Sequence, residues 1–256
     1  MSLTKTALRF AAPLPKLEAF DRYLFIGPHP DDIEIGAGAF AAKLASMGKD
    51  VCFLICTDGR FGGGAVPELS PDELAALREK EAVASAAKLG VRDVRFLRLC
   101  DGGFYDFDEL ERGIASAVGD FKPDVIFAPD PSIETECHKD HLNVGRAAKN
   151  IACFAPYRGI MERLGAKEAD VKAIAMYFTA RPNSVVSTSG YFERQTDALF
   201  SSHLSQFPAG SDAAKSLKLY LSLRAFDFGL RSFSKSGEAY RVLDALHMHC
   251  LPESSQ

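Results

Sequence analysis

The 256-residue chain lacks several features that assign a protein to a functional class. It has no run of lysines and arginines, and its formal net charge of −4 disfavours nucleic acid or an anionic membrane as a partner. No stretch approaches the roughly 18 apolar residues that span a bilayer, so no membrane span is predicted. The N-terminal segment carries Arg9 and Lys16 without a long apolar core, which does not fit a secretory signal.

Cysteine is scarce and shows no pattern. The six cysteines form no CxxC pair and three stand in apolar runs, so we predict reduced thiols and a cytoplasmic protein rather than a disulfide framework. The chain has no G-x-S-x-G motif, which disfavours serine-hydrolase chemistry. Cys137 stands beside His138, but neighbours in sequence rarely face each other, so a thiol nucleophile is disfavoured as well.

Apolar runs and helix-like segments alternate through the first half of the chain. The longer predicted helix begins with a capping box formed by Ser70 and Glu73 and ends at Gly90, and an earlier one ends at Gly48. Strands are predicted at "YLFIG" (23–27), "VCFLICT" (51–57), "VRFLRL" (94–99) and "DVIFAP" (124–129). This alternation predicts an α/β fold with a mostly parallel sheet covered by helices on both faces.

The second half is less regular. "KAIAMYFT" (172–179) predicts another strand, residues 191–207 predict a helix, and "GEAYRVLDALHMH" (237–249) is predicted as a last helix. No internal repeat or low-complexity linker interrupts the chain, so residues 1–256 are predicted to form a single domain.

Two histidine clusters stand directly after predicted strands. "PHPDD" follows the first strand and holds His29, Asp31 and Asp32, and "CHKDH", beyond the fourth, holds His138 and His141. Ligands of parallel sheets bind beyond the carboxyl ends of the strands, so both clusters are predicted at one rim. Catalytic zinc takes about three imidazole or carboxylate ligands. We therefore predict a metal site in which His29 and Asp32 face the ion, the second cluster supplies another ligand, and Asp31 is free to accept a proton.

A glycine motif imitates a nucleotide-binding fingerprint. "GAGAFA" matches G-x-G-x-x-A, with Asp58 about 20 residues further on. That fingerprint needs its first glycine in the turn directly after the strand, and here "PHPDDIEI" intervenes. We predict instead that Gly36 and Gly38 let a helix pack closely on the sheet, and we predict no nucleotide cofactor.

Six blocks of the sequence follow one another in the order seen in the LmbE-like (PIG-L) de-N-acetylases, which the chain resembles from about residue 22 to about residue 245. They are "PHPDDIEIG", "TDGRFGG", "LREKEAVASAAKLGV", "FLRLCDGG", "PDVIFAPDP…HKDH" and "SHLSQF". The resemblance implies a Rossmann-like fold and a zinc-dependent hydrolase that removes an N-acetyl or similar acyl group from an amino sugar or its conjugate. The implied partner is that small-molecule substrate, the implied cofactor is Zn²⁺ with Fe²⁺ as an alternative, and a homo-oligomer is compatible with the pattern.

The resemblance also implies roles for the residues that match family motifs. His29, Asp32 and His141 would be the metal ligands and Asp31 the general base. His138 would stabilise the oxyanion or protonate the leaving amine.

Further residues have implied supporting roles. Asp140 would orient a histidine. Arg78, which matches an Arg-x-x-Glu block of the family, is a predicted substrate contact, as are Asp101 and Arg60 in rim loops; an exposed Arg78–Glu81 ion pair is the simpler alternative.

The chain departs from the family pattern at two positions. Ile33 and then Glu34 follow "HPDD", where the family often has Glu directly after it, and Gln195 stands where many members carry Lys.

Two other interpretations of the same residues stay open. Two histidines and one carboxylate also describe non-haem Fe(II) oxygenases, although those sites usually lie in all-β barrels. A catalytically inactive sugar-binding or metal-binding relative would keep the ligands and lose the base, and Asp31 is intact here.

Overall fold

The computed structural model describes residues 10–249 and residue 251. After a 3-10 turn at Leu17–Ala19, strands and helices alternate as the apolar runs predict. The elements of this part are β1 (Arg22–Gly27), α1 (Asp32–Ser46), β2 (Asp50–Thr57), α2 (Pro71–Leu89), β3 (Asp93–Leu99), α3 (Phe107–Phe121), β4 (Val125–Pro129), α4 (Lys139–Phe154), α5 (Arg158–Arg163) and β5 (Ala173–Tyr177). The predicted capping box of Ser70 and Glu73 opens α2, and Gly90 ends it in the left-handed conformation.

The remaining elements are two strands, which extend the same sheet, and two helices. They are β6 (Ser184–Ser187), α6 (Phe192–Ser202), α7 (Asp212–Arg231) and β7 (Gly237–Asp244). Among the described residues the strand order is β3-β2-β1-β4-β5-β7-β6. The strands from β3 to β5 are parallel, and β7 runs antiparallel to β5 and to β6. The predicted α/β fold with a mostly parallel sheet is confirmed.

Two hydrophobic cores lie on opposite faces of the sheet. Successive side chains of a strand point to opposite faces, and in β1 Leu24 and Ile26 pack with α3 and α4, whereas Tyr23 and Phe25 pack with α1 and α2. The Phe25 ring stacks on Phe127 of β4 with ring centroids 4.3 Å apart. Both faces of the parallel strands are therefore buried, as the crossover helices require.

The glycines of "GAGAFA" bring α1 close to its neighbours. Both lie inside the helix, which begins at Asp32. A Cβ at Gly36 would lie 2.3 Å from a ring carbon of Tyr177 in β5, so the predicted close packing on the sheet is confirmed there. A Cβ at Gly38 would lie 3.0 Å from Cγ of Gln195, so this glycine makes room for helix α6 instead.

The substitution Gly36→Ala is expected to lower the free energy of unfolding by about 1–3 kcal/mol. The Tyr177 ring cannot yield easily, because it is fully buried and its hydroxyl donates to the Ile26 carbonyl at 2.8 Å. Urea denaturation measures the effect. Gly64→Ala is the matched control, since no atom lies within 4 Å of its added Cβ, and equal stability of the two variants would contradict the packing account.

The predicted last helix over 237–249 is wrong, because its first eight residues form strand β7. This strand pairs with β5 on one side and β6 on the other, and only its last residue is not buried. A strand buried on both faces has no polar–apolar alternation, so its sequence does not distinguish it from a helix. The helix predicted over 191–207 ends earlier, at Ser202.

Helix α7 is not predicted from the sequence. It is apolar on two faces, which obscures the helical pattern. Leu221 and Ala225 are buried on the side that packs on β7. The outward side carries large apolar residues that are 60–62% exposed, namely Leu219, Leu223, Phe226 and Leu230. This spacing of four and three residues is typical of helix–helix interfaces. The homo-oligomer stays a prediction.

Glu238 fastens β7 to α1 through a buried carboxylate. Its oxygens accept hydrogen bonds from the backbone N–H groups of Ala39 and Phe40, both at 3.0 Å, and from the Tyr240 hydroxyl. Burial outweighs these hydrogen bonds and raises the pKa of Glu238 from its ordinary 4.5 to about 7. The folded state therefore holds this proton more tightly than the unfolded chain does.

We expect the free energy of unfolding to fall as the pH rises, because the folded protein then loses this proton. The stabilisation is complete below the ordinary pKa of 4.5 and is lost as the pH rises through about 7, a difference of about 3 kcal/mol. Urea denaturation of the wild type and of Glu238→Ala across this range measures it. The stability advantage of the wild type should shrink with rising pH, and a constant advantage would contradict the assignment.

None of the helices in the described part of the chain has the length and apolarity that a bilayer crossing needs. The described cysteines are free thiols, as predicted: Cys52, Cys56, Cys100, Cys137 and Cys153. The predictions for Cys250 and for the segment up to Arg9 lie outside the described residues.

Candidate metal centre and active site

The site lies where the strand order reverses. β1 stands between β2 and β4, so the loops that follow β1 and β4 meet at the carboxyl edge of the sheet. "PHPDD" forms the first loop and leads into α1, and "CHKDH" leads into α4. These two remote segments bring His29, Asp32 and His141 together, as predicted.

The three side chains present their ligand atoms to one point. Asp32 Oδ2 lies 3.0 Å from His29 Nδ1 and 3.3 Å from His141 Nε2. All three ligand atoms lie within 4.8 Å of one another. A tetrahedral zinc ion with bonds of about 2.0–2.1 Å holds its ligand atoms about 3.4 Å apart. The arrangement therefore fits a divalent metal ion.

The electrostatics of the cluster favour positive charge at this point. Burial alone would lower the pKa of His29, but Asp101, Asp140 and Asp32 raise it to about 12. Burial alone would raise the pKa of Asp32, but His141 and His29 hold it well below its usual range. Charge of this sign can come from protons or from a divalent cation.

The second ring nitrogen of His29 is held by carboxylates. Nε2 lies 3.0 Å from Asp140 Oδ2 and 3.3 Å from Asp101 Oδ1. Asp140 is fully buried, and its Oδ2 also accepts the Gly102 N–H at 2.8 Å. A carboxylate on one imidazole nitrogen orients the ring and leaves the other nitrogen for a metal. The sequence predicts that Asp140 orients a histidine without saying which; the structure places its carboxylate against His29, whereas His138 Nδ1 is 3.8 Å away.

A second group of candidate ligands shares His29. It contains His29, Asp101, His138 and Asp140. Its two carboxylates both contact the same ring nitrogen of His29, since Asp140 Oδ2 and Asp101 Oδ1 lie 3.0 and 3.3 Å from Nε2. The group with His141 is therefore the better metal site, because its carboxylate oxygen stands between two imidazoles.

Asp31 adopts a strained backbone beside the ligands. Its φ of +145° lies in a region that residues other than glycine rarely adopt, and such strain is typical of functional sites. Its Oδ2 lies 3.2 Å from Arg78 Nη2, which also donates to the Pro30 carbonyl at 3.1 Å. Burial raises the pKa of Asp31 to about 6, against the lowering effect of Arg78. A carboxylate of this pKa suits proton transfer near neutral pH.

Arg78 is buried and holds two loops together. Besides contacting the Asp31 loop, it donates from Nη1 to the Gly59 carbonyl at 2.9 Å. Glycines make room for the guanidinium, since a Cβ at Gly59 or Gly62 would lie 2.3 or 2.6 Å from Nη1. The alternative of an exposed pair with Glu81 is wrong, because the Glu81 carboxylate is buried with Ser205.

His138 caps helix α4 and faces the cavity. Its Nδ1 accepts the Asp140 N–H at 3.3 Å, so the neutral ring carries its proton on Nε2. The ring meets His29 edge-on with centroids 4.6 Å apart. His138 can therefore donate a hydrogen bond to a bound molecule.

An open cavity of about 560 Å³ covers these residues. Its volume is in the range of small-molecule sites. Its wall includes His29, Asp31, Arg78, Asp101, His138 and His141.

A family model described as "PIG-L: GlcNAc-PI de-N-acetylase" matches residues 24–152. The chain belongs to the PIG-L family. The matched residues include both histidine clusters, so the resemblance given by the motifs is confirmed.

Similar proteins support the assignment to this family. Diacetylchitobiose deacetylase of Thermococcus kodakarensis is 31% identical over 254 residues, covering 95% of this chain and 94% of that protein. A 1D-myo-inositol 2-acetamido-2-deoxy-alpha-D-glucopyranoside deacetylase of Kineococcus radiotolerans is 41% identical over 126 residues, covering 47% and 35%. The solved structure of N,N'-diacetylchitobiose deacetylase from Pyrococcus horikoshii with its inhibitor MPG has a TM-score of 0.87 at 29% identity, covering 98% and 97%.

Not every predicted site residue reaches the cavity of this PIG-L chain. Asp101 lines the cavity with its carboxylate tied to His29 and to the Phe61 N–H. Arg60 is not brought to it, because its guanidinium pairs with Asp58 and Asp72 and lines a neighbouring cavity. The contacts of Arg78 and Asp101 with substrate stay predictions.

Buried partners below the site were not predicted. Glu34 Oε1 lies 3.1 Å from His203 Nε2 in a buried pair. Gln195 donates to the Glu34 carbonyl at 2.7 Å, which gives the departure from the family pattern a structural role. The Phe178 ring stacks on His141 with centroids 5.9 Å apart. Phe178 directly follows β5 and so lies at the same sheet edge, and this position is the signal that could have identified it as a site residue.

Proposed function

We propose that this PIG-L chain is a zinc-dependent hydrolase that removes the acetyl group from an N-acetylated amino sugar. The observation that carries the proposal is the convergence of His29, Asp32 and His141 beside Asp31, a carboxylate outside that ligand group. The names of the relatives, which are deacetylases of diacetylchitobiose and of an acetamido-glucopyranoside, support this substrate class.

The residues divide the work of amide hydrolysis. His29, Asp32 and His141 would hold the zinc ion, which supplies polarisation of the carbonyl and activation of water. Asp31 takes a proton from the water whose oxygen bonds to the carbonyl carbon. His138 donates from Nε2 to the carbonyl oxygen as negative charge develops. The proton on Asp31 then passes to the leaving nitrogen as the C–N bond breaks, which gives acetate and a free amine.

The supporting residues set the positions of these groups. Asp140 keeps the His29 ring turned with Nδ1 towards Asp32. Arg78 keeps the Asp31 carboxylate ionised and in place, because the two are buried together. We propose zinc as the ion because amide hydrolysis needs a Lewis acid and no redox change, and zinc has no redox chemistry. We also propose a cytoplasmic location, which the free thiols support.

Acetate release tests this function. Zinc-loaded protein is incubated with N-acetylglucosamine and N,N'-diacetylchitobiose, with and without oxygen, and acetate and free amine are measured. We expect equal amounts of both products, no effect of oxygen, loss of activity on chelation and recovery with zinc. Dependence on oxygen would favour the oxygenase alternative, and metal binding without acetate release would favour the inactive relative.

A further inference from the structure

Two phenylalanines stand exposed at the mouth of the cavity. Phe61 is 57% exposed and Phe104 is 73% exposed, and both line the cavity. Their rings meet edge to face with centroids 6.1 Å apart. Exposed apolar groups next to a polar cavity are typical of binding surfaces. No residue of the proposed hydrolytic machinery uses these rings.

Backbone hydrogen bonds tie the two loops that carry these rings to the candidate metal centre. The Phe61 N–H donates to Asp101 Oδ2 at 3.2 Å, and the other oxygen of Asp101 lies 3.3 Å from His29 Nε2. The Gly102 N–H donates to Asp140 Oδ2, which also contacts His29. The loops after β2 and β3 are therefore anchored to the two carboxylates that orient His29.

Gly102 lets the two rings lie together. Its φ of +84° is a left-handed conformation that suits glycine. A Cβ there would lie 3.1 Å from Phe104 Cε2 and 4.0 Å from Phe61 Cδ2. Both rings thus pack against bare backbone, and a side chain at this position would displace Phe104.

We propose that Phe61 and Phe104 form an aromatic subsite for a second sugar ring, the one attached to the acetamido sugar that reacts; this inference rests on the proposed function. The polar wall of the cavity suits the acetamido group and the hydroxyls of the reacting ring. The rim offers aromatic faces, whose partial negative charge attracts the C–H groups that a pyranose ring presents on its flat side. The chemistry selects a disaccharide or larger conjugate over a free monosaccharide.

Kinetics of two substrates test the subsite. Acetate release from N,N'-diacetylchitobiose and from N-acetylglucosamine is measured for the wild type and for the variant Phe61→Ala/Phe104→Ala. We expect kcat/KM for the disaccharide to fall about 5- to 50-fold, mostly through KM, and that for the monosaccharide to change less than about 2-fold. Phe104→Tyr should keep most of the preference, because it keeps the aromatic face.

A distant phenylalanine supplies the matched control. Phe233 is fully exposed and does not line the cavity. Phe233→Ala should therefore leave kcat/KM unchanged for both substrates. Equal losses for both substrates in the double variant, or no loss, would overturn the subsite. If the wild type releases no acetate from either sugar, the proposed function fails. Ligand-observed NMR of disaccharide binding then decides the subsite alone, and equal Kd values for wild type and double variant would overturn it.

Discussion

The substitution Asp31→Asn is expected to lower kcat for acetate release by about 10²- to 10⁴-fold while the bound zinc stays. Asparagine has the size of aspartate and tolerates positive φ better than most residues, so the strained turn should survive. Its amide oxygen can still accept from Arg78, but it cannot take a proton from water. Steady-state kinetics and elemental analysis of the same preparation measure both effects.

A second aspartate at the same rim serves as the control. Asp58 pairs with Arg60 and lines the neighbouring cavity. Asp58→Asn should therefore change kcat less than about 2-fold, as expected of substitutions away from reacting atoms. An Asp31→Asn protein that had lost its zinc would make Asp31 a ligand and end its assignment as the general base.

The substitution His141→Ala is expected to abolish metal binding at working concentrations, and activity with it. Changing a residue that only orients a ligand weakens metal binding by about 10- to 100-fold, and losing a ligand costs more. Only His29 and Asp32 would remain, on the one segment that leads from β1 into α1. Competition with a chelator gives the affinity.

His138→Ala separates the two candidate ligand groups. His138 belongs to the group with Asp101 and Asp140, not to the group with His141. We expect this variant to keep zinc and to lose about 10²- to 10³-fold in kcat, because the donor to the carbonyl oxygen is removed while His29, Asp32 and His141 stay. Loss of zinc in His138→Ala and its retention in His141→Ala would exchange the roles of the two groups.

The sequence predicts the site because the chemistry lies in short segments. "PHPDD" and "CHKDH" each follow a strand that is recognisable as an apolar run, and the rule for parallel sheets places both at one edge. The orienting role of Asp140 could also be predicted, but its partner His29 lies 111 positions away and follows only from packing.

Long-range packing also explains the predictions that failed. The burial of Arg78 depends on space left by Gly59 and Gly62, which no local pattern shows. β7 lacks alternation because pairing and packing bury both its faces. In α7, Leu219 and the residues that follow it on the outward face hide the helical period.

We propose that one zinc ion, held by His29, Asp32 and His141, makes this chain a deacetylase. Titrating zinc into the metal-free protein while following acetate release from N,N'-diacetylchitobiose tests it directly. We expect no acetate without metal, a linear rise to a maximum at one ion per chain, and no rise for His141→Ala. Acetate release by the metal-free protein, or a full response of His141→Ala to one ion, would contradict it.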